Sequence, residues 1–326
     1  MTTRREKYIS ELKEIFANAK DKHEANYRSA SLLTEMSGDV GFFTEVLQRH
    51  LEKPESLNTL HYPVVGLDIE LNEYFGLVAN CWIPLPNRAA DVSTKAIHHH
   101  GDMLLTTVTA FGTGYEHWTF ETPSVVDADK EIYELKLLEQ APHPLHHVAF
   151  VDSYIAHLPL YPPDLTVTYA LWSSRFPTTW KDTLKRMPIV QSNSKRLKDV
   201  ATKLGLAKQL DLKVVEYFDF YPTRDGFLGI KEREEFTRTT NDDYLASLFH
   251  VIQETGNEAL SGVVRQKLES GEKIDSYDLV KNYLADLESG KRIDGRLSSS
   301  HYGQPKVNFT KDEILGALAV QTAGRL

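Results

Sequence analysis

The sequence predicts an all-β core held between helical flanks, and three observations carry that reading. Short segments rich in β-branched and aromatic residues crowd residues 62–176, turn signals punctuate them, and helical apolar periodicity occupies the chain on either side. Many short strands between turns suit a sandwich or a small barrel. The expected organisation is an N-terminal helical segment (1–61), a β module (62–176) and a mainly helical C-terminal region (177–326).

The elements follow in order. Tyr8, Leu12, Ile15, Phe16 and Ala19 recur at helical spacing and predict an amphipathic helix across residues 4–28. A second helix is expected over Phe42–Leu51, entered through the Ser37-Gly38-Asp39 turn. From Tyr62 the pattern becomes β-rich, first Val64–Leu71, then Leu77–Ile83. Further strands are expected at Lys95–His100, Leu104–Phe111, Tyr115–Phe120, Ile132–Leu138, His146–Tyr154 and Leu165–Ser173. Gly112-Thr-Gly114, Pro142/Pro144 and Pro162-Pro163-Asp164 break them apart. Helical periodicity returns at Ser194–Leu206, Tyr244–Thr255, Ala259–Leu268 and Ser276–Leu287. Thr310-Lys-Asp-Glu313 reads as a capping box ahead of a last helix. Leu212–Ile230 mixes aromatic and β-branched residues without a clear period, and Gly290–Gln304 reads as a loop.

Composition narrows the function classes. The 326 residues are 41% apolar and 25% charged, enough to bury a core without disulfides or metal staples. One cysteine, Cys81, excludes an internal disulfide framework and suits a reducing cytoplasm. A net charge of −9 argues against a nucleic-acid or anionic-lipid footprint. The opening residues are polar and lack a secretory core, and no apolar run nears the roughly 20 residues that span a bilayer. A cytoplasmic location is therefore expected, with no membrane or nucleic-acid partner. Phosphate loops, dinucleotide fingerprints, nucleophile elbows and the His-Glu-x-x-His pattern are all missing from the sequence.

The histidines are the chemical signal. Eight of thirteen fall between His98 and His157. In a strand through His98-His99-His100, side chains alternate, so His98 and His100 share one face and His99 takes the other. Two imidazoles at that spacing reach one ion, with metal–nitrogen distances of about 2 Å. His157, ahead of a Pro-rich turn and a final strand, is the best third ligand. The same residues also suit a solvated strand edge and a hydrogen-bonded core histidine. A His100/Asp102/His157 set is a second possible ligand arrangement. Asp102 otherwise orients His100 or simply ends the strand.

His98-x-His100, a short apolar strand, the glycine turn at Gly112–Gly114, another strand and a later histidine reproduce a two-motif layout. In this the chain resembles the cupin superfamily, and within it the thiol dioxygenase branch of cysteine dioxygenase type. Residues 98–120 follow that branch's first motif in hydropathy and residues 157–173 its second, and the likeness as a whole covers roughly residues 62–176, about a third of the chain. It implies a cupin-type double-stranded β-helix barrel. It also implies a three-histidine site, because the positions of the general cupin glutamate are Leu104 and Leu105 here. Fe(II) is the implied metal, with Zn, Mn or Ni as alternatives.

Departures from that branch bear on the substrate. Its cysteine–tyrosine cross-link maps to Leu105 and Trp172, and its Ser-His-Tyr relay to Thr168, Ala170 and Trp172. No clear carboxylate-binding arginine exists, Arg88 being nearest. A larger or aromatic substrate then fits better than cysteine. Thr168 and Trp172 are expected to shape the pocket, and Glu116, if inward and raised by burial, to serve as a base. Tyr154 and Tyr169 read as packing residues, and His143, His146 and His147 as solvent-exposed. The expected activity is a mononuclear non-haem Fe(II) oxygenase using O₂ on a small organic molecule. A redox-silent cupin isomerase or lyase and a non-enzymatic small-molecule binder are its rivals. The helical flanks read as a lid or a homodimer interface.

Overall fold

The computed structural model describes residues 3–59, 64–84, 92–93, 97–101, 103–173, 219–230, 240–295 and 309–323. Helix α1 (Arg4–Asn18) opens on a capping box in which Thr3 and Glu6 satisfy each other's backbone N–H groups. The single helix expected to residue 28 is instead two. Ala19 is extended, and the Asp21 carboxylate accepts from the Glu24 N–H to start α2 (Lys22–Gly38). Lys7 pairs with Glu35 and the Tyr8 hydroxyl with Asp39, so α1 and α2 lie antiparallel. Asp39 closes α2 through its N–H and caps α3 (Val40–Glu52) through its side chain.

The strands follow as β1 (Val64–Leu71), β2 (Gly76–Trp82), β3 (Val92–Ser93), β4 (Ile97–His98), β5 (Leu104–Phe111) and β6 (Tyr115–Phe120). Then come β7 (Ser124–Asp127), β8 (Ile132–Glu134), β9 (Leu137–His143), β10 (Val148–Val151), β11 (Ala156–Pro159) and β12 (Thr166–Ser173). A hairpin of β13 (Asp219–Thr223) and β14 (Gly226–Ile230) precedes α4 (Asn241–Glu254), α5 (Ser261–Glu269) and α6 (Tyr277–Ser289). The short β15 (Phe309–Thr310) and α7 (Lys311–Ala323) complete the described chain.

Two antiparallel sheets face each other. The first has the order β1-β2-β12-β5-β10, the second β7-β8-β14-β13-β4-β11-β6-β9. The strands β4, β5, β6, then β10, β11, β12 alternate between them, which is the winding of a double-stranded β-helix. The fold class is thus the expected cupin-type barrel with N- and C-terminal helices.

Alternation decides what each sheet face meets. On the first sheet Leu67, Leu77, Cys81, Val167 and Leu171 point outward, against Leu12, Leu33, Phe42 and Leu47 from the N-terminal helices. The same cluster includes Leu245, Leu248 and Phe249 of α4, so both helical flanks form one layer on this sheet. A hydrogen bond of 2.6 Å between His50 and the Tyr244 hydroxyl ties them together. The outer face of the second sheet carries Trp118, Phe120, Leu158 and Phe220, covered by Ile314 and Ala317 of α7. The inner faces enclose the barrel.

Some strand limits differ from expectation. The strand expected at Ile132–Leu138 divides, because β8 pairs with β7 and β14 while β9 pairs with β6 and runs on to His143. Pro142 is tolerated because β9 ends the sheet and needs no second ladder. The unplaced aromatic stretch contributes β13 and β14 to the second sheet. The helix expected at Ser194–Leu206 lies outside the described residues. Among the described residues no helix is long and apolar enough to cross a membrane.

Candidate metal centre

The site begins with a two-residue strand. β4 pairs on one side with β11 and on the other with β13, and this sets His98 directly opposite both His157 and Asp219. Ile97 turns outward into the apolar layer under α7, so its neighbour His98 turns into the barrel. In β11 the same rule sends Ala156 and Leu158 outward and His157 inward. The chain then leaves the strand at His100, which follows the alternation and joins them.

The three rings form a compact triangle. Centroids are 4.4 Å apart for His98 and His157, 4.8 Å for His98 and His100, and 5.0 Å for His100 and His157. One ring nitrogen from each lies within 4.8 Å of the others. Two nitrogens bound to one ion at about 2.1 Å cannot be more than about 4.2 Å apart, so a small inward movement completes the site. His98 and His157 are buried, and His100 is half-buried. The donor set therefore fits a single transition-metal ion, held by neutral imidazoles that leave its 2+ charge uncompensated.

Trp172 stands against the triangle. Its ring meets that of His100 edge-on at a centroid distance of 4.4 Å. It joins Leu105, Val151 and Ala170 in a small apolar cluster inside the barrel, with Val78 and Ile155. Thr168 faces the same way but lies four residues back along β12, about 13 Å deeper. Its hydroxyl accepts from the Trp82 indole at 3.3 Å. Thr168 thus shapes the barrel floor and not the immediate surroundings of the histidines.

Glu116 does not join the site. It shares the outer face of β6 with Trp118, and its carboxylate accepts from Lys311 of α7 at 2.8 and 3.1 Å. The Trp118 indole and Gln140 amide donate to it as well, at 2.8 and 2.7 Å. Partial burial raises its pKa, but these hydrogen bonds outweigh that and leave it below the ordinary carboxylate value. The base expected at Glu116 is therefore on the wrong face and shifted the wrong way. The apolar underside of α7 takes Trp118 and Phe120 outward, and Glu116 goes with them.

The inward residues of β6 are Tyr115 and His117. The His117 ring lies 5.5 Å from His157, 6.3 Å from His143 and 6.3 Å from Tyr115. Burial lowers its pKa to about 4. His143, expected in solvent, is buried at 1% exposure. β9 carries it into the barrel, where its ring nitrogens meet the Thr107 hydroxyl at 2.7 Å and the Thr109 hydroxyl at 3.3 Å. Burial, with His117 and His147 nearby, lowers its pKa to about 3. His146 and His147 are exposed, as expected.

The remaining expectations divide cleanly. His99 projects from the opposite face to His98, and its Nδ1 accepts from the Gly101 N–H at 3.1 Å. Tyr169 faces the helices, where its ring packs edge-on against Phe42 at 5.3 Å. Tyr154 is largely exposed. Arg88 and Asp102 lie outside the described residues. Asp219 was not foreseen: it is buried and in register with His98 on the side away from β11.

No family model matches the chain, and no curated protein does. Solved structures similar to it include a double-stranded β-helix domain protein from Klebsiella pneumoniae, at 10% identity and a TM-score of 0.22, covering 34% of this chain and 76% of that one. A RmlC-like cupin protein from Desulfovibrio desulfuricans is 16% identical, with a TM-score of 0.22, over 35% of this chain and 90% of its own. A cupin superfamily protein from Desulfitobacterium hafniense is 5% identical, with a TM-score of 0.22, over 34% and 78% respectively. Likenesses this distant bear neither on activity nor on the site, and the fold reading rests on the strand winding itself.

Proposed function

We propose that the chain is a mononuclear non-haem Fe(II) oxygenase acting on a small organic substrate, with His98, His100 and His157 as the metal ligands. The observation that carries this reading is the buried triangle of three imidazoles whose donor atoms lie within 4.8 Å of one another. Iron held there would supply a Lewis-acidic, redox-active centre with coordination positions open to an anionic substrate and to O₂.

The chain's own residues do the rest. Trp172 holds the His100 ring from the side and, with Leu105 and Ala170, keeps water from that wall. Thr168 fixes the Trp82 indole and so the shape of the barrel floor. The buried Asp219, in register with His98 across β4–β13, adds a carboxylate on the same sheet face beside the triangle.

O₂ uptake by the iron-loaded protein tests the reading, using a panel of small carboxylic, hydroxy and aromatic acids. Substrate-dependent O₂ consumption that disappears in His157→Ala supports it. Conversion of a panel member in the absence of O₂ would replace it with a metal-dependent isomerase or lyase. Tight binding with no conversion would replace it with a small-molecule binder.

A further inference from the structure

The barrel interior is built in layers, as the register shows. The outermost holds the histidine triangle on the second sheet, opposite Leu105 and Trp172, which are paired on the first. The next holds His117, with Thr107 and Ala170 paired opposite it. The deepest holds Tyr115 and His143, paired in register, with Thr109 and Thr168 opposite. Tyr115 hydrogen-bonds to Thr107 and Thr168, and the His143 ring to Thr107 and Thr109, so the deepest layer is internally satisfied. His117 is the exception. Its ring has the rings of Tyr115, His143 and His157 as neighbours, and no hydrogen bond to it occurs among the described residues.

Charge is as informative as position. The described side chains that line the two inner layers are hydroxyls, imidazoles, rings, the Asn80 amide and small apolar groups, none an ammonium or guanidinium, and Asp68, in register with them on the edge strand β1, is exposed to solvent. Glu116 is on the outer face, and Asp219 lies three strands from β6 across the sheet. A charged group brought down to His117 would be buried without a counter-charge, which is costly. A hydroxyl or carbonyl would meet one neutral imidazole able to donate from one nitrogen and accept at the other.

We propose that His117 receives the uncharged polar end of the substrate, so that the site takes small acids that carry a hydroxyl or carbonyl two or three bonds beyond the metal-binding carboxylate. This rests on the metal reading above, since the carboxylate is anchored at the histidine triangle. The 5.5 Å between the His157 and His117 rings sets the reach of the ligand. The apolar wall of Leu105, Val151 and Ala170 runs beside that span and covers the intervening carbons.

Cobalt(II)-loaded protein tests this by visible absorption, with 3-hydroxypropanoate, butanoate and 3-aminopropanoate as probes of one length and three tail chemistries. The hydroxy acid is expected to bind several-fold more tightly than butanoate and at least tenfold more tightly than the amino acid. His117→Ala should cancel the advantage of the hydroxyl over the methyl tail while leaving cobalt stoichiometry and butanoate binding in place. His117→Gln, which keeps a donor and an acceptor, should restore part of it. Equal or tighter binding of the amino acid by the wild-type protein overturns the proposal, as does an unchanged ranking in His117→Ala. A wild-type protein that takes up no cobalt removes the metal reading and this proposal together, whereas bound cobalt whose spectrum no acid perturbs overturns this proposal alone.

Discussion

His157 lies directly across the β4–β11 ladder from His98, with ring centroids 4.4 Å apart. In an antiparallel pair, directly opposed residues project to the same face, so this register places both imidazoles inside the barrel. A slip of one residue would send His157 outward and Leu158 inward. The apolar layer beneath α7, which claims Ala156 and Leu158, is what fixes the register.

Trp172 is expected to act through His100. Trp172→Ala removes the edge-on partner of that ring, an interaction of about 1 kcal/mol, and should weaken metal binding about three- to tenfold. Trp172→Phe should retain most of the affinity. Competition with a chromophoric chelator measures both, and unchanged affinity in Trp172→Ala would show that the contact does not hold the ligand.

Glu116→Gln should leave metal content and ligand binding unaltered, because the carboxylate faces α7. The loss falls on its partly exposed ion pair with Lys311 and should cost no more than about 1 kcal/mol in urea unfolding. A collapse of activity with stability intact would contradict the outward placement.

The fold should be acid-sensitive through two histidines, His143 buried in the barrel and His50 in the helical layer. The pKa of His143 is lowered to about 3 and that of His50 to about 4, in both cases chiefly by burial. Each binds its proton more readily in the unfolded chain, where the value is about 6.5. The stabilisation is full above pH 6.5 and is lost as pH falls through the window down to the folded values. Between pH 6.5 and 5 this amounts to about 2 kcal/mol for each histidine. Urea midpoints across that range should fall, and His143→Gln should flatten the fall.

Gly114 has φ of +79°, and a Cβ there would meet the His143 carbonyl oxygen and Pro144. Both strain and overlap oppose a side chain at this turn, so Gly114→Ala should cost at least about 2 kcal/mol. Because the overlap is with His143, the damage should also displace that ring from Thr107. A variant of native stability would mean that the turn relaxes freely.

Much of the fold was legible because period and turn chemistry agreed along the chain. The runs Val64–Leu71, Leu104–Phe111 and Thr166–Ser173 all became strands of the first sheet, the last two central to it, and the spacing of His98 and His100 placed them on one face. What the sequence hid was tertiary. Alternation alone separated Glu116 from His117 but could not say which faced inward, since that depends on α7, nearly two hundred residues on. His143 looked exposed among prolines because the edge position that permits Pro142 is a property of the sheet. β13 and Asp219 were obscured by a stretch whose aromatics match neither period. The break between α1 and α2 came from the Asp21 cap, which Lys20 and Lys22 on either side do not betray.

A single metal ion held by His98, His100 and His157 underlies the proposed function. Its most direct test is metal uptake by the anaerobically purified chain, wild type against His157→Ala, read by elemental analysis after iron supplementation and desalting. Close to one iron per chain is expected in the wild type and a sharp loss in the variant, with far-ultraviolet circular dichroism unchanged. Equal metal in both proteins, or none in either, would contradict it.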